Sequence, residues 1–178
     1  AVLVSASCGG FWALRLCAEH PDRVLGSVFI APTAPLVPPL AERRVQRFGE
    51  VFDNPVGWQL YNAHSWKTQY PDFVAFFVGR IFTEPHSTKQ IEDAIGWGLQ
   101  IDAQTILRGM DATWINDRDS ALRLCAQVAC PTLIIQGSAD AVVGPARGAA
   151  VAAAIPQARL ITLEGSGHAP HLRDHPRR

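Results

Sequence analysis

The sequence has no excess charge of either sign, few cysteines and no long apolar run, and each deficit excludes a class of function. Lys and Arg total 16 and Asp and Glu total 16, so no electrostatic hold on nucleic acid or on an anionic membrane is expected. Pro, Gly or a charged residue interrupts every apolar stretch before it reaches the ~20 residues of a membrane-spanning helix. A soluble, cytoplasmic protein with a small-molecule partner is therefore expected, and nothing in the pattern selects an oligomeric state. The four cysteines, Cys8, Cys17, Cys125 and Cys130, fall in apolar or helix-like settings without metal-ligand spacing, and nothing suggests a small secreted disulfide scaffold, so they read as free thiols. His64 and His86 have no paired ligand pattern that would hold a metal. What is present is a chain of 178 residues, 48% hydrophobic and 18% charged, enough to bury one globular core.

Along the chain, short apolar strands alternate with helical patterns. Ala1 to Val4 reads as a buried strand, followed by a tight turn of small residues and a helix from Gly9 to His20. Phe11, Leu14 and Ala18, with Trp12 and Leu16 beside them, give that helix its apolar positions, and Pro21 ends it. A second strand spans Val24 to Ala31. Prolines at 32, 35, 38 and 39 then break the pattern. From there to about Ser120 the character differs, so residues 33–120 read as a helical cap inserted into a core made of 1–32 and 121–178. Within the cap, Ser87-Thr88-Lys89-Gln90 has the form of a capping box, with Ile91, Ile95 and Leu99 following on one helical face. The aromatics Trp58, Trp66, Phe73, Phe76, Phe77, Phe82 and Trp97 suit either the packing of that subdomain or the wall of an apolar cavity.

After a helical stretch around Ser120 to Val128, the strand Thr132 to Ile135 runs into Gln136-Gly137-Ser138-Ala139-Asp140. Gly144-Pro145 opens an Ala-rich helix that Ile155-Pro156 closes. The last strand, Ala158 to Leu163, gives way to Glu164-Gly165-Ser166-Gly167-His168. Such alternation predicts a doubly wound, mostly parallel α/β sheet, whose functional groups gather beyond the carboxyl ends of the strands. Ser7, Asp140 and His168 all stand at such ends.

In Ser5-Ala6-Ser7-Cys8-Gly9-Gly10, small residues surround a serine between strand and helix. Such an elbow strains its central residue and exposes the hydroxyl. It also aims the Cys8 N–H and the helix N-terminus at a developing oxyanion. A serine hydroxyl needs a base in hydrogen-bond reach and a third group to orient that base. His168 and Asp140 suit those roles.

The elbow, the Gly-x-x-Asp ending at Asp140 and the Gly-x-Gly-His ending at His168, in that order, resemble the α/β-hydrolase superfamily over nearly the whole chain outside the cap. The resemblance implies Ser7 as nucleophile, Asp140 as acid, His168 as base and the Cys8 N–H as part of the oxyanion hole. It also implies a hydrolase of esters or related acyl compounds, with no metal or organic cofactor. A carbon–carbon bond hydrolase or perhydrolase on the same triad, and a non-catalytic binding module, are the alternatives. Ser5 stands where glycine is usual, and Ala6 where many relatives carry a polar residue. Because the superfamily places further strands and a second oxyanion donor ahead of the elbow, the chain is expected to be the C-terminal part of that fold, cut at its N-terminus.

Rival assignments are weaker on position. The alternative reading of Ser7 is a helix cap and that of Asp140 a turn residue. Asp117 and Asp119 precede the strand, His171 and His175 lie further from the strand end, and a Cys8 thiol would leave the elbow one residue late.

Overall fold

The computed structural model describes residues 1–45, 47–110 and 115–173. Four strands, β1 (Val2–Ala6), β2 (Gly26–Ile30), β3 (Thr132–Gly137) and β4 (Ala158–Leu163), form one sheet in chain order, every neighbouring pair parallel. In register, Val4 faces Val28, Phe29 faces Ile134 and Ile135 faces Ile161. Parallel neighbours need long crossovers. Helix α1 (Gly9–Glu19) links β1 to β2, and an excursion of about a hundred residues links β2 to β3.

That excursion contains 3₁₀ turns at Ala41–Val45 and Gly57–Leu60, then α2 (Ala63–Thr68), α3 (Tyr70–Ile81), α4 (Thr88–Gly98), α5 (Ala103–Met110) and α6 (Arg118–Gln127). Beyond β3 come α7 (Pro145–Ala154) and the short α8 (Pro170–Arg173). Pro145 begins α7, where a missing N–H costs nothing. Among the described residues, no helix is long and apolar enough to cross a membrane.

Two cores result. In the first, Phe29 and Ile134 of the sheet bury against Ala13, Leu14 and Cys17 of α1, Ala121 and Cys125 of α6, and Val151 of α7. The second belongs to the excursion and joins Leu60, Trp66, Phe73, Val74, Val78 and Phe82 to Ala169. The buried Asn62 starts α2: its Oδ1 accepts the N–H groups of His64 (2.7 Å) and Ser65 (3.2 Å), while its amide donates to the carbonyls of Arg47 and Glu50.

Several sequence expectations shift. β1 is the outer strand among the described residues, and there Val2 and Val4 are 64% and 69% exposed. Helix α1 buries Gly10, Ala13, Leu14 and Cys17, and turns Trp12 and Leu16 outward. The capping box does not form, because the Ser87 hydroxyl donates backwards to the Glu84 carbonyl at 2.9 Å. Ile91 and Ile95 pack on the second core, but α4 stops at Gly98 and leaves Leu99 exposed. Of the aromatics, Trp58, Trp66, Phe73 and Phe82 are buried in packing clusters, and Trp97 is exposed. His175 lies outside the described residues.

Candidate active site

Three strand ends meet here. β1 stops at Ala6, and Ser7 takes a φ of 50°, a left-handed conformation that costs a non-glycine residue about 1–3 kcal/mol. The surrounding backbone holds it there. The Ser7 N–H donates to the Ile30 carbonyl at 2.9 Å, and the Gly10 N–H reaches the Ser7 carbonyl at 3.0 Å as α1 begins. Ser5, in the position where glycine is usual, is half-buried and its hydroxyl leans toward the Val28 carbonyl at 3.4 Å. Helix and sheet are less crowded than the motif implies, since a Cβ on Gly10 would meet Phe29 and Pro32 only at an ordinary 3.6 Å.

Asp140 lies three residues beyond β3, buried to 3% exposure. Its Oδ1 accepts the N–H groups of Val142 (2.8 Å) and Val143 (3.0 Å), and its Oδ2 accepts the Gln136 amide at 2.8 Å and pairs with His168 Nδ1 at 2.9 Å. Those four bonds use up what a carboxylate can accept. Burial alone would raise the Asp140 pKa. The hydrogen bond and charge of His168, with the Val143 and Val142 N–H groups, outweigh it and hold the acid below its ordinary value.

His168 follows β4 on the loop 164–168 and is 6% exposed. This loop lies against the end of β3: Ser138 N–H donates to Leu163 and Ala139 N–H to Ser166, at 3.1 and 3.0 Å. Gly137 permits that approach, because a Cβ there would sit 2.1 Å from the Gly167 carbonyl oxygen. With Nδ1 engaged by Asp140, the other ring nitrogen, Nε2, lies 2.9 Å from Ser7 Oγ. A proton on Nδ1, donated to the carboxylate, leaves Nε2 free to accept from the hydroxyl. The arrangement can therefore draw the proton from Ser7 and stabilise the imidazolium that results.

Ser7, Asp140 and His168 are thus brought together across 161 residues of chain. Among the rivals, Asp117 caps α6 by accepting the Ser120 N–H at 2.7 Å, and His171 is exposed on α8. Cys8 is an exposed free thiol at the head of α1. The surface groove between α1 and α6, lined by Arg15, Glu19, Asp117 and Arg123, contains none of the three site residues.

Sequence reasoning missed the residues that brace the site. Gln136 is 1% exposed, and a polar side chain inside an apolar strand was a legible signal. Arg43 had none. Its guanidinium donates to the Val142 carbonyl at 2.8 Å and lies over the rings of Trp58 (4.5 Å) and Tyr61 (5.5 Å). Burial lowers its pKa, against the opposing influence of Tyr61 and Asp140.

Comparison with known proteins bears on the fold. A family model described as alpha/beta hydrolase fold matches residues 1–174. A curated relative, the biotin biosynthesis bifunctional protein BioHC of Teredinibacter turnerae, is 26% identical over 201 residues, covering 99% of this chain and 31% of its own length. A solved hydrolase of Oleispira antarctica superposes with a TM-score of 0.73 at 20% identity, over 97% of this chain and 60% of the other. An esterase of Exiguobacterium antarcticum gives 0.72 at 19% identity, over 96% and 60%. The chain thus spans under a third of the curated relative and about three-fifths of these solved chains.

Proposed function

The chain belongs to the alpha/beta hydrolase fold family, and from that premise we propose that it carries the catalytic residues of a serine hydrolase acting on carboxylic esters or related acyl compounds. One observation carries the reading: the continuous relay from Ser7 Oγ through His168 to Asp140, in two contacts of 2.9 Å. Ser7 Oγ attacks the carbonyl carbon while its proton passes to His168 Nε2, and Asp140 holds the Nδ1–H and balances the imidazolium charge. The oxyanion lies at the N-terminus of α1, where the Cys8 N–H is one donor. His168 then gives its proton to the leaving alkoxide, and the alcohol departs. Water attacks the acyl-Ser7 ester with His168 as base, releasing the acid and restoring the serine.

Residues 33–120 serve as a cap between the core segments 1–32 and 121–178. The cluster in which Trp58 meets Ala31, Val142 and Val143 supports that role, since it seats the insertion on the loops after β2 and β3. The four free thiols suit a reducing compartment such as the cytoplasm. The test is a fluorophosphonate probe applied to the full-length protein, with labelling expected at Ser7 and lost in Ser7→Ala. Equal labelling of both proteins overturns the assignment, and an unlabelled wild type favours a non-catalytic binding module.

A further inference from the structure

The turn that closes α3 touches both loops of the site. Ile81 C=O accepts the His168 N–H at 2.9 Å, Thr83 Oγ1 donates to the Ala139 carbonyl at 3.0 Å, and Glu84 Oε1 accepts the Gly167 N–H at 2.6 Å. The bonded positions are the residue before Asp140, the residue before His168, and His168 itself. All three partners come from the long insertion and none from the strand–helix core. The fit is tight: a Cβ on Gly167 would lie 2.5 Å from the Ile81 carbonyl oxygen and 3.0 Å from Thr83 Oγ1. One residue further on, Ala169 packs into the insertion's own core with Leu60, Trp66 and Phe73.

The Glu84 carboxylate is more than a packing group. Its short bond to Gly167 fits a charge-assisted contact, while Oε2 is buried with no hydrogen-bond partner among the described residues. Burying a carboxylate oxygen in that way is costly, and an apolar side chain would pack there at less expense. The turn is also fixed from the other side, where Ser87 Oγ donates to the Glu84 carbonyl.

We propose that residues 81–84 are a latch, with Glu84 as its main positioning residue, that aligns His168 and Asp140 only while the insertion is seated on the core. What the alignment is used for rests on the acyl-hydrolase reading above. When the insertion lifts, the Gly167 and His168 N–H groups and the Ala139 carbonyl lose their partners together. The imidazole then drifts from Ser7. Opening for substrate exchange and loss of the proton relay become one event.

The experiment compares Glu84→Ala, Glu84→Gln and Thr83→Val in the full-length protein. It reads kcat and KM on a p-nitrophenyl ester, the rate of fluorophosphonate labelling, and the low-field proton resonance of the His168–Asp140 hydrogen bond. Glu84→Ala is expected to lower kcat about 10- to 100-fold with KM within about twofold, since a misplacement near 1 Å costs up to about 100-fold. Glu84→Gln, whose amide oxygen still accepts the Gly167 N–H, restores kcat to within about threefold of wild type. Thr83→Val removes only the donor to Ala139 and lowers kcat by a smaller factor, about 3- to 10-fold, which keeps the test open if Glu84→Ala does not fold. Wild-type kcat and an unchanged resonance in both Glu84→Ala and Thr83→Val overturn the latch, as does a Glu84→Gln variant as impaired as Glu84→Ala. If Ser7 is never labelled but the resonance still broadens in Glu84→Ala and recovers in Glu84→Gln, the acyl reading falls and the latch stands.

Discussion

Replacing Asp140 by Asn tests the site at its most constrained point. The carboxylate accepts from Val142, Val143, Gln136 and His168, and all four partners are donors in the relay as drawn. An amide has one accepting oxygen. If that oxygen stays with the two valine N–H groups, the new NH₂ faces the Gln136 amide and His168 Nδ1. His168 then escapes the donor–donor clash by moving its proton to Nε2, which can no longer accept from Ser7. The opposite amide orientation sets NH₂ against two backbone N–H groups that cannot move. The tautomer error is expected to lower kcat/KM by about 10⁴-fold, equivalent to about 5 kcal/mol. The Gln136 amide keeps its bond to the Gly137 carbonyl but loses the one to the carboxylate, which adds about 1.5–3 kcal/mol of lost stability. Ester hydrolysis by the full-length variant, alongside its thermal unfolding, checks both numbers. An activity within tenfold of wild type would refute the reasoning, because it would mean that His168 keeps its tautomer without the carboxylate.

The same carboxylate makes stability depend on pH. Its pKa is depressed in the folded protein, so its contribution is present above the unfolded value, about pH 4, and is lost as pH falls through the lower folded value. Urea unfolding should therefore show the wild-type advantage over Asp140→Asn shrinking below about pH 4. Trp66 is 1% exposed in the insertion's core, and Trp66→Ala should cost about 3–5 kcal/mol of stability, seen as a lower urea midpoint. Cys8 is exposed, whereas Cys17, Cys125 and Cys130 are buried, with burial pushing the Cys17 and Cys125 thiols up to about 11. A thiol reagent should titrate one group rapidly in native protein and four after denaturation.

Much of the fold was legible because its signals are local. A short apolar run, a small-residue turn and an apolar helical face announced β1, the elbow and α1 within 19 residues. The same holds for β3, α7 and β4, where Pro131, Pro145 and Pro156 punctuate the pattern. Exposure was less legible. Leu99 continues the helical face of Ile91 and Ile95 in sequence, yet α4 stops at Gly98 and leaves it exposed. Ser87 had the spacing of a capping box, but its hydroxyl found a nearer acceptor in the preceding turn.

The sequence by itself determined the candidate trio: a serine, an aspartate and a histidine, each just past a strand, in an order that resembles one superfamily. Strand ends in a parallel sheet must lie side by side, so position along the chain was enough to bring those residues to one edge. Only the tertiary structure decided what holds them. Gln136 and the Val142 and Val143 N–H groups saturate Asp140, Arg43 reaches the same loop from the 3₁₀ turn Ala41–Val45, and the turn 81–84 grips the His168 loop from the insertion. The Val142 and Val143 N–H groups and Gln136 are local to Asp140, two, three and four residues away, whereas Arg43 and the turn 81–84 share no period or motif with the residues they support. Those remote partners are chosen by proximity in space, and that proximity comes from packing the insertion on the strand–helix core rather than from any local pattern.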